Sequence, residues 1–300
     1  MPDAAIEVEG LTKRYGDQTV VDDVTFSVRQ GAVTGFLGPN GAGKTTTLRC
    51  LLGLARATEG SATVLGSAYR DLDDPARTVG ANLEVSGAHP GRSGRQHLRS
   101  LAAMAGIPDS RVGEVLELTE MTDAADRRYG KYSMGMRQRI GLAAALLGEP
   151  KILVLDEPAN GLDPAGIRWL RDMLRDTAAQ GRTVLVSSHV LSEMAQTVSD
   201  VVVIHKGRVV KQGPVGDLTG AARASTIVRS PQTGALASAL RSAGAEVSEF
   251  EDGALNVDGL NAAAVGDAAL AAGVAVHQLY EAQASLEDVF FQLTDGEAAT

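Results

Sequence analysis

Between the apolar run Val33-Thr34-Gly35-Phe36-Leu37 and the stretch Thr47-Leu48-Arg49-Cys50-Leu51-Leu52 stands Gly38-Pro39-Asn40-Gly41-Ala42-Gly43-Lys44-Thr45-Thr46. No other segment restricts the fold as much. The order reads as strand, loop, helix, the opening of an α/β core. Glycines at the first, fourth and sixth loop positions let the backbone fold tightly, so that successive N–H groups point into one concavity where an anion can sit at a helix N-terminus. Lys44 adds a point charge suited to β- and γ-phosphates, and Thr45 a hydroxyl suited to Mg²⁺. At average residue usage this spacing arises by chance on the order of once in a hundred chains of this length.

Upstream, Ile6 to Gly16 and Thr19 to Gly31 read as strands, the second with Val24, Phe26 and Val28 on one face at period two. Tyr15, between them, stays open between a half-buried strand residue and a ligand contact. Past the loop comes a polar stretch rich in Gly, Asp and Pro, then Val79-Gly80-Ala81-Asn82-Leu83-Glu84. From Arg95 to Leu118 the spacing turns helical. Leu98, Leu101, Ala102 and Ala105 form one stripe and Val112, Val115, Leu116 and Thr119 the next, with Pro108 and Asp109 between them. This predicts an inserted helical block. It ends in Gly130-Lys131-Tyr132-Ser133-Met134-Gly135-Met136, followed by an apolar helix through Leu147. Ser133 is placed as that helix's N-cap, where the backbone carries partial positive charge, and capping alone would account for it.

The run Ile152-Leu153-Val154-Leu155 predicts a strand buried on both faces, as in a parallel sheet, with Asp156 and Glu157 at its C-terminal end. Ligands bind at that end of strands in open α/β sheets. An unpaired buried charge is costly, so two acids on so apolar a strand point to chemistry. Asp156 reads as a Mg²⁺ holder, directly or through water, and Glu157 as the group that orients or deprotonates an attacking water. Adjacent residues on a strand diverge, which would give the two their different reach. A helix from Pro164 to Ala179 leads to a second buried strand, Thr183 to Ser188, and then His189. A lone histidine is most often structural, but this one stands on the same edge as the loop and the acid pair, which keeps a γ-phosphate contact open. Val201 to His205 and Arg208 to Lys211 flank Lys206-Gly207 and read as a hairpin. Beyond about Gly220 the order is strand Thr226 to Arg229, helix Gly234 to Ser242, strands Glu246 to Phe250 and Leu255 to Val257, helix Ala262 to Ala272 and strand Val274 to Leu279. That is βαββαβ, a small ferredoxin-like α+β domain. Ser285 to Leu293 reads as a final helix with its aromatics inward.

With 300 residues, 44% of them apolar, the chain can bury a full core and holds one large domain and a small one. A net charge of −9 disfavours nucleic acid as a partner. The single cysteine, Cys50, cannot form an intramolecular disulfide and is expected to pack in the core. The start Met1-Pro2-Asp3-Ala4 lacks the basic and apolar regions of a leader, and no apolar run reaches the ~18 residues of a membrane span. The expectation is a cytoplasmic protein whose membrane role, if any, comes through a partner.

With the phosphate loop, the Ser133 segment, the acid-ended strand and His189 in this order, residues 4 to about 218 resemble the nucleotide-binding subunits of ATP-binding-cassette (ABC) transporters. The resemblance implies a P-loop NTPase (RecA-like) core over residues 4–218, with an antiparallel β subdomain and a helical subdomain inserted at about 85–147, and a C-terminal domain over 219–300. It implies ATP bound with Mg²⁺. Gly38, Pro39, Asn40, Gly41, Ala42, Gly43, Lys44, Thr45 and Thr46 would surround the phosphates and Tyr15 would stack on adenine. Thr45 and Asp156 would serve the metal, and Lys44, Glu157 and the switch residue His189 the catalysis. Asn160-Gly161-Leu162-Asp163 matches the loop that crosses a head-to-tail dimer, in which Ser133 and Gly135 of one copy would contact the γ-phosphate held by Lys44 of the other. The pair would be a homodimer or a heterodimer with a related subunit.

Two positions depart from the family pattern. Its signature usually reads Leu-Ser-Gly-Gly-Gln, whereas here Tyr132-Ser133-Met134-Gly135-Met136 keeps the serine and one glycine. Where the family carries Gln beside the helical block, this chain aligns Glu84, which can still approach Mg²⁺ but cannot donate a hydrogen bond as an amide does; Asn82 is a weaker candidate for the same task. The tail, with Leu286-Glu287-Asp288-Val289-Phe290, looks like the C-terminal extension of the drug-resistance (daunorubicin-type) exporter ATPases. What the resemblance implies is ATP hydrolysis at the inner face of the membrane, powering export of drugs or other hydrophobic compounds through a separate integral-membrane permease subunit. Two other readings stand beside it. A soluble cassette ATPase with a non-transport client is disfavoured by the single cassette, single cysteine and lack of a long heptad run. A regulatory cassette with weak hydrolysis is favoured by Met134, Met136 and Glu84 and opposed by intact Lys44, Asp156, Glu157 and His189.

Overall fold

The computed structural model describes residues 4–83, 87–190, 197–217, 225–250 and 253–282. Glu84 and the expected helix from Ser285 to Leu293 lie outside them. The chain divides into two compact units, one ending at Gly213 and the other starting at Pro214.

The first unit opens with an antiparallel hairpin, β1 (Ala4–Tyr15) and β2 (Gln18–Arg29). On β2 the expected alternation holds: Val24, Phe26 and Val28 are buried while Thr25, Ser27 and Arg29 are exposed. β3 (Val33–Leu37), buried at every position, runs into the loop and α1 (Lys44–Leu51). β4 (Glu59–Val64) then pairs with β1, completing the sheet β2-β1-β4. Its sequence reads as polar loop, and the reason is physical. It is an edge strand in which only Val64 is fully buried, so no apolar alternation marks it.

A one-turn helix, α2 (Pro75–Thr78), precedes β5 (Val79–Leu83). The inserted block then holds α3 (Gly94–Met104), α4 (Ser110–Leu118) and α5 (Met134–Leu146). α3 begins with a capping box: Ser93 Oγ accepts from Gln96 N at 3.2 Å, and Gln96 Oε1 accepts from Ser93 N at 3.0 Å. Leu98, Ala102, Val112, Val115, Leu116 and Thr119 are buried as their spacing predicts, whereas Ala105 is exposed because α3 stops at Met104. β6 (Ile152–Asp156), α6 (Pro164–Ala179), β7 (Thr183–Ser188), β8 (Asp200–His205) and β9 (Arg208–Pro214) complete the unit.

Its central sheet has the order β5-β6-β7-β3-β8-β9, and every pairing from β5 across to β8 is parallel. Parallel strands covered on both faces read as near-continuous apolar runs, as β6 does up to Asp156 and β7 does from Val184 to Val186, and β3, β6 and β7 are buried at every position. Their C-terminal ends therefore emerge on one edge. Val8, Val24 and Phe26 of the small sheet share one core with Phe36, Leu48, Val154 and Ile204. The rings of Phe26 and Phe36 stack at 5.2 Å, worth about 0.5–1.5 kcal/mol beyond the area they bury. Among the described residues no helix is long and apolar enough to cross a membrane.

The second unit holds β10 (Ser225–Arg229), α7 (Thr233–Ser242), β11 (Glu246–Glu249), β12 (Leu255–Asp258), α8 (Ala262–Ala271) and β13 (Gln278–Ala282). Its strands are ordered β11-β12-β10-β13 with antiparallel pairing, the arrangement of a ferredoxin-like βαββαβ unit. Leu236 and Leu240 of α7 and Val265 of α8 meet Val228, Leu255 and Val257 of the sheet in its core. The last strand begins at Gln278 rather than Val274. Val274 is still closing the end of α8, its N–H donating to Ala269 O at 2.9 Å after Gly273 has turned to φ 66°.

Candidate functional site

Three strand ends build the site. β3 and β7 pair through Leu37 and Ser188, and Gly38 N donates to Ser188 O at 3.2 Å, so the loop starts against the tip of β7. A Cβ on Gly38 would stand 2.2 Å from Ile204 O, which admits only glycine. Gly43 adopts φ 104°, a conformation L side chains rarely take, and α1 starts directly after it. Between them Ala42 N donates to Pro39 O at 3.2 Å, and Gly207 N donates to Ala42 O at 3.0 Å, tying the loop to the turn between β8 and β9. Asn40, Gly41, Thr45 and Thr46 complete this continuous cradle at the start of α1. Lys44, only 6% exposed, folds back over it and donates from Nζ to Gly38 O at 2.6 Å and Pro39 O at 3.2 Å.

Asp156 closes β6 and is buried. Each of its oxygens receives a hydroxyl: Thr45 Oγ1 donates to Oδ2 at 2.6 Å, and Ser187 Oγ donates to Oδ1 at 2.5 Å. Such charge-assisted bonds are short and strong. Glu157 follows in the left-handed region at φ 49°, a conformation that costs about 1–2 kcal/mol for a residue with a Cβ. Two bonds hold it there: its N–H donates to Ser187 Oγ at 2.9 Å, and its carbonyl accepts from Gln138 Nε2 at 3.0 Å. This turn, and not the alternation of a strand, separates the two carboxylates, which corrects the expected cause of their divergence. The Glu157 carboxylate lies between two partners, Oε1 3.2 Å from Lys44 Nζ and Oε2 2.8 Å from His189 Nδ1. Oε1 has no partner in hydrogen-bond geometry, so its contact with Lys44 is a short-range Coulombic one.

Ser187 and Gln138 organise both acids, yet sequence reasoning did not single them out. Ser187 bonds Asp156 and Glu157 with one hydroxyl. The available signal was a polar residue at a position that burial makes expensive: Ser187 on an otherwise aliphatic strand, Gln138 on a largely apolar helix. Asn82, buried on β5, donates to Gln138 Oε1 at 3.3 Å, so its amide lies two steps from Glu157 rather than at the edge itself.

Ser133 caps α5 as predicted, its Oγ accepting from Met136 N at 3.2 Å. Beneath it Tyr132 is buried and donates to Ala124 O at 2.7 Å, with the Tyr129 ring 5.5 Å away. Burial pushes both phenols above their ordinary pKa. Gly135 abuts the loop after Glu157: a Cβ there would stand 3.0 Å from Gly161 O. Among the described residues no hydrogen bond or ion pair joins Ser133 or Gly135 to the loop at 38–46 of the same chain. Tyr15, half exposed at the end of β1, has Lys13 Nζ 4.6 Å from its ring centre. Cys50 packs against the core, and burial raises its thiol pKa. Burial, helped by Arg92, lowers the pKa of His97 on α3.

The neighbouring hydroxyl of Thr45 and carboxylate of Asp156 are hard oxygen donors, the kind Mg²⁺ prefers. Among the described residues no group of three or more His, Cys, Asp or Glu could hold a metal unaided. An ion here would complete its shell with phosphate oxygens and water.

The family described as ABC transporter matches residues 21–160, and a domain of unknown function matches residues 224–287. An ABC transporter ATP-binding protein of Bacillus subtilis (strain 168) is 42% identical over 208 residues, 68% of either chain. The bacitracin transport ATP-binding protein of Bacillus licheniformis is 41% identical over 216 residues, 71% of either chain. Among solved structures, the ATP-binding subunit of an ABC transporter aligns with a TM-score of 0.66 and 28% identity, covering 72% of this chain and 92% of that one. The family match spans the phosphate loop and the acid pair, and the Bacillus subtilis relative, 42% identical, covers more than two thirds of both chains: the chain belongs to the ATP-binding proteins of the ABC transporter family.

Proposed function

We propose that this chain is the ATP-hydrolysing subunit of a multicomponent exporter, with the cassette in residues 4–218, a small appended domain in 219–300, and transport carried out by a separate integral-membrane permease at the inner face of the membrane. The observation that carries the reading is the line Lys44–Glu157–His189, at 3.2 and 2.8 Å, set beside an Asp156 held by two hydroxyls. Backbone N–H groups of Asn40, Gly41 and Gly43 and of the start of α1 bind the β- and γ-phosphates of ATP, with Lys44 as their counter-charge. Thr45 and Asp156 would hold Mg²⁺, which would supply positive charge to the phosphate oxygens. Glu157 accepts the proton of the attacking water. His189 orients Glu157 through Nδ1, which leaves Nε2 for the γ-phosphate. Tyr15 stacks on the adenine.

Ser133 and Gly135, which make no bond to their own phosphate loop, serve the nucleotide of a second cassette in a head-to-tail dimer. Hydrolysis then releases the dimer. Glu84 tunes the coupling between nucleotide and permease. The bacitracin-transport relative supports a drug or other hydrophobic compound as cargo. Co-expression with any integral-membrane protein encoded as a neighbour of this chain provides the test. Extraction in mild detergent should yield both chains together with Mg²⁺-dependent ATPase activity. A dimer that hydrolyses ATP and ignores that neighbour would replace the exporter with a non-transport client.

A further inference from the structure

A cavity of about 590 Å³ lies between the ends of α4 and α5 and the outer part of α6, remote from the phosphate loop and the acid pair. That volume is ordinary for a small-molecule site, typically about 300–1,000 Å³. Leu118, Leu146, Trp169 and Met173 give it an apolar lining. Leu118 remains 52% exposed, unusual for a leucine at the end of a helix with a buried stripe. Trp169, the chain's single tryptophan, is fixed at the cavity wall: its Nε1 donates to Leu118 O at 3.3 Å, and the Arg139 guanidinium lies 4.2 Å from its ring centre.

The charges around this lining are unbalanced. Arg111 is used up internally, donating to Leu146 O at 3.3 Å, Leu147 O at 3.4 Å and Glu114 at 2.6 Å, and lying 3.6 Å from Glu149. Glu120 is paired with Arg139 at 2.7 Å. Two further carboxylates on α6, Asp172 and Asp176, line the same cavity, as does Arg182. Asp172 has only a 3.9 Å contact with Arg175 one turn along, and Asp176 has no ion pair among the described residues. A cavity that sets four apolar side chains beside four carboxylates and only two guanidinium groups suits a ligand with an apolar body and one positive charge.

We propose that this cavity binds an amphipathic organic cation and that its occupancy regulates ATP turnover. The regulatory half rests on the proposed function. α5 and α6 start side by side, where Gly135 abuts Gly161, and both run from there to the cavity. α5 has 13 residues, so its far end lies about 20 Å from its cap. An occupant at that far end sets the splay of the two helices, and with it the placement of Ser133 relative to the loop at 160–163.

Trp169 is its own reporter. The full chain is titrated with tetraphenylphosphonium and with tetraphenylborate, bodies of the same shape and opposite charge, while tryptophan emission is followed. The phosphonium should give a saturable change, and the borate should bind about tenfold more weakly or worse. Asp172→Asn with Asp176→Asn should weaken phosphonium binding about tenfold, with ligand-free Trp169 emission unchanged as the check on folding. Saturating phosphonium should alter Mg²⁺-ATPase at least about twofold, a change the double variant loses. Equal binding of the two ions, an unaltered affinity in the double variant, or no saturable change overturns the site. Acid-dependent binding with unaltered turnover overturns the regulatory half, and a chain that binds the phosphonium but hydrolyses no ATP overturns the proposed function instead.

Discussion

The two units are made of the same ingredients, strands and helices around an aliphatic core, and they differ in strand direction. In the first, β3, β6 and β7 run parallel, so the phosphate loop, Asp156 with Glu157, and Ser187 with His189 all leave the sheet on one edge. In the second, every pairing among β10 to β13 is antiparallel, and consecutive strand ends fall on opposite edges. Its connections carry turn-forming glycines such as Gly244, Gly253 and Gly273 at positive φ, without a convergence of acids, hydroxyls and cations among the described residues. Composition does not separate the units; direction does, because only a parallel sheet concentrates polar strand tips against a helix N-terminus.

The contrast can be broken most forcefully at Lys44. Lys44→Ala removes the ammonium that lies over the cradle and should weaken ATP binding about ten- to a hundredfold, read by calorimetric titration. Near-normal affinity would mean that the edge does not bind phosphate as described. In the other unit Leu255→Ala opens a hole in a small core and should cost that unit about 2–4 kcal/mol. An earlier unfolding step should appear in the melting curve, while ATP turnover below that step stays at the wild-type level. A parallel loss of turnover would show that catalysis is not confined to the first unit. A smaller effect sharpens the picture within the site. Ser187→Ala strips Asp156 and Glu157 of their shared hydroxyl, at a cost of about 1–3 kcal/mol, and kcat should fall about tenfold with KM for ATP nearly unchanged. A rise in KM alone would place Ser187 in binding.

Much of this was written in the residues themselves. Strands buried on both faces announce themselves by unbroken aliphatic runs, which is why β6 and β7 and their polar tips were legible. The phosphate loop was legible because its glycines answer local needs, a positive φ at Gly43 and the approach of Ile204 O to Gly38. β4 was not, because an exposed edge strand needs no apolar pattern, and β13 was misplaced because Val274 packs against the core from a connector. The roles of Ser187 and Gln138 depend on neighbours 31 and 19 residues away in sequence, and no spacing rule spans such distances. The cavity by Trp169 was hidden for the same reason, since its walls come from separate helices.

The most direct test of the assignment at the acid pair is Glu157→Gln, which preserves shape and hydrogen-bonding capacity but cannot take a proton from water. ATP should bind at least as tightly as to the wild type while steady-state Mg²⁺-ATPase falls about a hundredfold or more. Turnover at the wild-type rate would contradict the role of Glu157 as the base.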